Sequence, residues 1–187
     1  VRVNWEGAYG ELRPNPRGFR IELDIEFDHP LIGRQGIALD VDPTTFRREL
    51  ARARTFGFMR DVGKLWGAGY ALGASFENTL VVNDSRLLNP EGLRYADEFA
   101  RHKALDAIGD LALAGAPILG VYRSERGGHK LNHAVLTALM ADPAAWVLVD
   151  GREIRPEIRP DLRRRANRGH ADVSTGLVAP AYGPDMT

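Results

Sequence analysis

The sequence predicts an α+β fold, a two-layer sandwich in which a mainly antiparallel sheet packs on helices, with a βαβ insertion. Three patterns indicate this fold. Residues 18–28 alternate between apolar and polar side chains, as a half-buried strand does. Residues 95–114 and 129–141 have the patterns of two helices. Residues 55–84, which are interrupted by glycines, are typical of a short strand, a helix and a second strand.

The strands of the sheet are predicted from alternation and from turn residues. One face of residues 18–28 carries apolar side chains: Phe19, Ile21, Leu23, Ile25 and Phe27. We expect residues 1–12 to pair with this strand through the proline-containing turn at 14–18, and residues 37–41 to form a further short strand. Later strands are predicted at 118–122, where the chain is apolar, and at 147–149.

The helices are predicted from their boundary residues. Asp42 as N-cap and Pro43 at the first helical position start a helix that is expected to continue to about Ala53. After a turn at 89–92, the helix 95–114 has an acidic first turn that suits the helix dipole, and residues 115–117, Gly-Ala-Pro, end it.

The remaining segments connect these elements. Inside the insertion we expect a helix at about 61–67 and a strand at about 79–82. A charged loop at 123–128, which contains glycines, leads into the helix at 129–141. The order of elements therefore places the βαβ insertion between the first strands and the long helix.

The composition limits the classes of partner and of metal site. The 187 residues are enough for one domain, and 25 basic residues balance 25 acidic ones, which does not favour nucleic acid as a partner. A small molecule or a protein is the expected partner. Cysteine is absent, so any metal site must use His, Asp, Glu or backbone oxygen ligands. The apolar runs are too short for a membrane span, and we expect a cytoplasmic protein.

The two ends of the sequence carry expectations of their own. The chain begins at Val1 without a methionine, which indicates that the sequence starts inside a longer product. Residues 151–187 are rich in arginine and proline, include Arg163 to Arg165, and have little periodic apolar sequence. We expect a flexible tail there, and residues 1–150 form the predicted domain.

His102 and Asp106 are the first candidate functional residues. They are one helical turn apart, in line with the apolar residues Tyr95, Phe99 and Leu113 of the predicted helix. Because burying an imidazole and a carboxylate without partners is costly, the pair needs either a divalent cation or a direct ion pair within the core. The spacing alone leaves both interpretations open.

Two further patches carry candidate residues. The glycines at 127 and 128 deliver His129 to a helix start, where a cationic imidazole would be disfavoured unless a carboxylate or a developing anion faced it. His133 follows one turn later and could form a ligand pair with His129. Thr55 lies at the mouth of the glycine-rich insertion, where its hydroxyl could contact a polarised carbonyl. His29 is interpreted as structural, and His170 lies in the expected tail.

Four runs of the sequence together resemble a known family. They are RARTFGF (52–58), LNPEGLR (88–94), DEFARHKALDAIGD (97–110) and GHKLN (128–132). In this order they resemble the C-terminal half of UDP-3-O-acyl-N-acetylglucosamine deacetylase, the zinc amidase of lipid A biosynthesis in Gram-negative bacteria. The resemblance covers about residues 1–150 and favours the metal interpretation of His102 and Asp106.

The resemblance implies a cofactor, a substrate and residue roles. His102 and Asp106 would be two ligands of Zn²⁺, and His129 would protonate or stabilise the tetrahedral intermediate and the leaving amine. Thr55 would hydrogen-bond the developing oxyanion, while Phe56 and Lys103 would lie on the nucleotide-sugar and phosphate side. Residues 57–84 would form a passage for the acyl chain of the acylated UDP-N-acetylglucosamine substrate. Its expected lining is Met59, Val62, Leu65, Leu72, Gly73, Ser75 and Val81.

The chain departs from the family at one functional point. The third zinc ligand of the family is a histidine directly after the glutamate that acts as general base, and this sequence contains no Glu-His dipeptide. We therefore expect the N-terminal half of the same enzyme as a partner, and an isolated chain that binds zinc weakly and is inactive. Two alternatives are a non-catalytic module that binds the acyl chain or the nucleotide sugar, and a metal-free interaction domain that uses the Arg-rich tail.

Overall fold

The computed structural model of the chain describes residues 1–150. The strands are β1 (Arg2–Trp5), β2 (Ala8–Pro14), β3 (Phe19–Glu26), β4 (Arg34–Val41), β5 (Thr55–Phe58), β6 (Thr79–Val82) and β7 (Gly120–Glu125). The helices are α1 (Pro43–Thr45), α2 (Met59–Gly67), α3 (Glu98–Leu111) and α4 (His129–Ala141). A π-helical turn, Phe46–Leu50, continues α1, and a 3₁₀ turn, Ala112–Ala114, continues α3. The tail expected at 151–187 lies outside the described residues.

The main sheet and two helices form the two layers that the sequence predicts. The strand order is β1-β2-β7-β3-β4, and every neighbouring pair is antiparallel except β3 with β7. Helix α3 packs on β3 and β4, α4 packs on β1 and β2, and the two helices contact each other. The α+β class and the mainly antiparallel sheet are therefore confirmed.

The predicted pairing of residues 1–12 with β3 is wrong. Residues 1–12 form their own hairpin, β1 with β2, around Glu6 and Gly7, which both have the positive φ angles that suit a tight hairpin turn. Strand β7 lies between β2 and β3 and pairs with both. The turn residues at 15–18 instead cross the start of β7, where the amide of Asn15 donates to the carbonyl of Leu119. Local alternation could not reveal a strand that enters from much later in the chain.

The first predicted helix begins as expected and ends early. The Asp42 side chain accepts hydrogen bonds from the amides of Thr44 and Thr45, at 2.6 and 2.9 Å, so the N-cap is confirmed. The amide of Ala51 donates to the carbonyl of Phe46, five residues back, which makes this a π-helical turn. The chain then turns inward at Ala53 and Arg54, which are both buried. The helix therefore stops before the predicted position.

The apolar stripe predicted for the long helix is also partly wrong. Helix α3 starts at Glu98, and its core side consists of Phe99, Ala100, Ala104, Ala107 and Leu111. Leu113 is 63% exposed and follows the helix, so it is not part of a buried stripe. His102 and Asp106 lie at the edge of the buried face. The helix end is correct, because Gly115 has the left-handed φ of 77° that ends helices.

The insertion and the last segments complete the fold. Strands β5 and β6 are parallel and joined through α2, which confirms the βαβ prediction. Strand β7 extends to Glu125, into the region predicted as loop. Residues 147–149 are not a strand: Val147 and Leu148 are 79% and 75% exposed and lie in irregular structure. Within residues 1–150, no helix has the length and apolar character needed to span a membrane; the expected cytoplasmic location stays a prediction.

Candidate active site

Helix α3 presents three polar side chains on one line, His102, Asp106 and Asp110, at successive spacings of four residues. The Nε2 atom of His102 lies 3.3 Å from Oδ1 of Asp106, and the two side chains are 14% and 16% exposed. Both groups are therefore largely buried and still reachable from one side. This position, at the border between core and solvent, suits a reactive site better than a sealed ion pair in the core.

His102 is held in the form that binds metals. Burial lowers the pKa of His102, while the nearby Asp106 carboxylate raises it and the Lys103 ammonium lowers it further; the net shift is downward. The Nδ1 atom is buried without a well-formed hydrogen bond, although the backbone of Ala53 lies close enough to raise the pKa. The imidazole is thus neutral at physiological pH, which is the state required of a metal ligand.

His129 is brought to the same place from the start of α4. Gly127 makes this possible, because a Cβ atom there would lie 2.2 Å from Oγ of Ser124 and 2.9 Å from Cδ2 of Leu131. Nδ1 of His129 is 2.8 Å from Oδ2 of Asp110, and Nε2 is 3.7 Å from Oδ2 of Asp106. The carboxylate that a histidine at a helix N-terminus needs is therefore present.

Asp110 is the functional candidate that sequence reasoning missed. Its carboxylate also accepts a 2.9 Å hydrogen bond from the amide nitrogen of Asn132 and lies 3.5 Å from Nε2 of His133. Burial alone would raise the pKa of Asp110, but the hydrogen bonds from His129 and Asn132 outweigh it and lower the pKa below its usual range. The available signal was its spacing of four residues from Asp106.

Phe56 and Lys103 lie beside His102, whereas Thr55 is more peripheral. The rings of Phe56 and His102 are 6.3 Å apart in an edge-to-face arrangement, and Nζ of Lys103 is 5.8 Å from the centre of the Phe56 ring. Thr55 has an exposed side chain at the start of β5, next to Phe56. The roles of all three remain predictions.

The insertion exposes an unusual amount of apolar surface. Of the predicted lining residues, Met59 and Leu72 are 51% and 76% exposed, Val62, Leu65 and Val81 are half-buried, and Gly73 and Ser75 are exposed. Three aromatic residues of the same insertion, Trp66, Tyr70 and Phe76, are also exposed and were not predicted. Since Leu80 and Val82 are fully buried, β6 anchors the insertion while the rest faces outward. Binding of an acyl chain to this surface stays a prediction.

His102 and Asp106 fit two positions of a zinc site. Their separation of 3.3 Å matches the edge of a tetrahedron with metal–ligand bonds of about 2.0–2.2 Å. Nδ1 of His129 is engaged with Asp110 rather than turned toward this pair. In residues 1–150 no group of three or more His, Asp or Glu side chains has a metal-binding arrangement. These two side chains therefore fit part of a zinc site, and zinc binding by this chain stays a prediction.

Comparison with known proteins gives a consistent family. The family model described as UDP-3-O-acyl N-acetylglycosamine deacetylase matches residues 1–141. Proteins named UDP-3-O-acyl-N-acetylglucosamine deacetylase from Brucella ovis, Brucella canis and Brucella suis are each 54% identical to this chain over 151 residues. The match covers 80% of this chain and 52% of each relative, so the chain spans about half the length of these relatives. The chain belongs to the UDP-3-O-acyl-N-acetylglucosamine deacetylase family.

Proposed function

We propose that this chain supplies one part of the active site of a zinc-dependent amidohydrolase, which removes acetate from UDP-3-O-acyl-N-acetylglucosamine during lipid A biosynthesis. The observation that carries the proposal is the convergence of His102 and Asp106 from α3 with His129 from α4, with Asp110 behind His129. Family membership supports the choice of reaction, because the relatives carry the name of this deacetylase.

The side chains of the site would divide the work of amide hydrolysis. His102 and Asp106 would hold zinc, which when bound acts as a Lewis acid and lowers the pKa of a water molecule. Asp110 accepts a hydrogen bond from Nδ1–H of His129 and so leaves Nε2 facing the site. Once the ring is protonated to the imidazolium, its Nε2–H would give the proton to the leaving amine. The Thr55 hydroxyl would donate to the oxyanion that develops as the amide carbonyl is attacked. A histidine ligand and a glutamate base would come from the N-terminal half of the same enzyme.

The surroundings of the site suit the two ends of this substrate. Lys103, close to the ring of Phe56, would offer a positive charge to a phosphate, and Phe56 would pack against the sugar. The exposed apolar surface of the insertion, which includes Met59 and Leu72, would receive the acyl chain. The substrate would therefore lie across the opening between α3, β5 and the insertion.

A chimera tests this proposal directly. Residues 1–141 of this chain would replace the matching segment of the Brucella ovis enzyme, and acetate release from the acylated UDP-sugar would be measured. We expect turnover by the chimera and none by the isolated chain. His102→Ala or Asp106→Ala should reduce kcat more than about 100-fold, since losing even an outer partner of a metal ligand costs 10- to 100-fold. Arg17→Ala, at an exposed turn, is the matched control.

Two outcomes would contradict the proposal. A folded chimera that binds the substrate without hydrolysing it would indicate the non-catalytic binding module instead. Efficient turnover by the isolated chain would show that the site is complete without a further half.

A further inference from the structure

A buried line of hydrogen bonds continues behind His129. Tyr122, on the central strand β7, is fully buried, and its hydroxyl lies 2.6 Å from Oδ1 of Asn132. Asn132 is 3% exposed, and its Nδ2 atom lies 2.9 Å from Oδ2 of Asp110. The same oxygen of Asp110 lies 2.8 Å from Nδ1 of His129. Two buried side chains thus connect the sheet to the imidazole.

The chemistry of these groups fixes the direction of every bond. An ionised carboxylate only accepts hydrogen bonds, so Asn132 must direct its NH₂ group and His129 its Nδ1–H toward Asp110. The carbonyl oxygen of Asn132 then faces Tyr122, whose hydroxyl must donate to it. Burial raises the pKa of Tyr122 to about 12, which keeps the hydroxyl proton in place.

The Tyr122 hydroxyl, at one end of this line of hydrogen bonds, lies close to the backbone of Gly10. A Cβ atom on Gly10 of β2 would lie 3.2 Å from the hydroxyl oxygen of Tyr122 and 2.8 Å from Cγ2 of Val135. The tightest of these contacts is with Val135, and a side chain at this position would also crowd the hydroxyl. Glycine on the neighbouring strand avoids both contacts.

We propose that Asn132 is a positioning residue for the proposed reaction, and that Tyr122 assists it by fixing the orientation of its amide. Two histidines compete for Asp110, because Nε2 of His133 lies 3.5 Å from the second carboxylate oxygen. Asn132 holds Oδ2 in the direction of His129, so that His129 keeps its proton on Nδ1 and directs Nε2 into the site. Only the catalytic consequence rests on the proposed function; the tautomer of His129 does not.

The first test measures the tautomer in the 187-residue chain. Nitrogen-15 NMR of the histidine rings distinguishes Nδ1–H from Nε2–H in neutral imidazole. We expect the Nδ1–H form of His129 in the unaltered chain and a mixture in Asn132→Leu, which keeps the volume but loses the amide. Tyr122→Phe should give a smaller shift in the same direction and tests the same line if Asn132→Leu fails to fold. Tyr95→Phe, which removes an exposed hydroxyl, is the control.

The second test measures kinetics in the chimera. Asn132→Leu should reduce kcat about 10-fold or more with KM nearly unchanged, because Asn132 is buried and out of reach of a bound substrate. An unchanged His129 tautomer in both variants would overturn the proposal, as would an equal loss in kcat from Tyr95→Phe. If the chimera is inactive, the proposed function fails, but the NMR result still decides the role of Asn132.

Discussion

The buried ion pair between Arg54 and Glu98 offers the sharpest test of how the site is held in place. Arg54 precedes Thr55 on β5, and Glu98 begins α3, the helix that carries His102. Nε and Nη2 of Arg54 lie 2.9 and 3.2 Å from the two carboxylate oxygens of Glu98. The two side chains are 2% and 0% exposed. We expect Glu98→Gln to destabilise the chain strongly.

The expected magnitude follows from the burial and from the contacts. The Glu98 carboxylate also accepts hydrogen bonds from the backbone amides of Arg54 and Arg94, at 3.1 and 2.5 Å. Removing one member of a buried pair costs about 3–5 kcal/mol, and Arg54 would keep only the half-exposed Glu91 as a charged partner. Arg54 also binds Glu91, but that side chain is 48% exposed, so Glu91→Gln should cost no more than about 1 kcal/mol.

Urea denaturation measures both variants in the same chain. Glu98→Gln should lower the free energy of unfolding by about 3–5 kcal/mol, which corresponds to a fall in Tm of roughly 6–20 °C at 2–4 °C per kcal/mol. If Glu98→Gln destabilises no more than Glu91→Gln, the reasoning from burial is wrong. The Arg54→Met, Glu98→Leu double variant should recover part of the loss, because no buried unpaired charge then remains.

Three further predictions concern stability. Gly10→Ala should lower the free energy of unfolding by about 1–3 kcal/mol, because the added methyl group overpacks against Val135. Gly63→Ala, in the open interior of α2, should raise it by about 0.5–1 kcal/mol. Thermal unfolding compares the two variants, and equal changes in Tm would contradict the close packing at β2. Asp42→Ala should lower the free energy of unfolding by about 1 kcal/mol, because it removes the N-cap of α1. An unchanged free energy of unfolding would contradict this prediction. Burial alone would raise the pKa of Glu98, but its hydrogen bonds lower it below the usual value of 4.5. The ionised Glu98 carboxylate therefore stabilises the fold fully above pH 4.5, and this stabilisation is lost as the pH falls through the lower pKa of the folded state. The urea midpoint should fall less on acidification in Glu98→Gln than in the unaltered chain.

The sequence predicted best what local residues determine. The N-cap at Asp42, the left-handed helix end at Gly115 and the bounds of α4 each depend on a few neighbouring residues, and all three are confirmed. The parallel pairing of β3 with β7 depends on residues far apart in the chain, for which alternation carries no signal. The hairpin predicted between residues 1–12 and β3 failed for this reason.

The candidate site was predictable in part for the same reason. His102 and Asp106 could be paired because they lie on one helix, and Gly127 and Gly128 indicated that His129 begins another. The contact of Asp110 with Asn132 and His129 joins α3 to α4, and only the packing of these helices on the sheet creates it. The direction in which Asp110 points could not be inferred from its spacing alone.

The zinc affinity of the isolated chain and of the Brucella ovis chimera tests the central claim most directly. Competition against a chelator of known affinity would give the dissociation constant of each. Because the proposed site takes two ligands from α3 and a third from another part of the enzyme, we predict weak binding by the isolated chain and much tighter binding by the chimera, lost in both when His102 is replaced by Ala. Equal affinity of the two proteins, or binding that survives His102→Ala, would contradict the assignment of His102 and Asp106 as part of a shared zinc site.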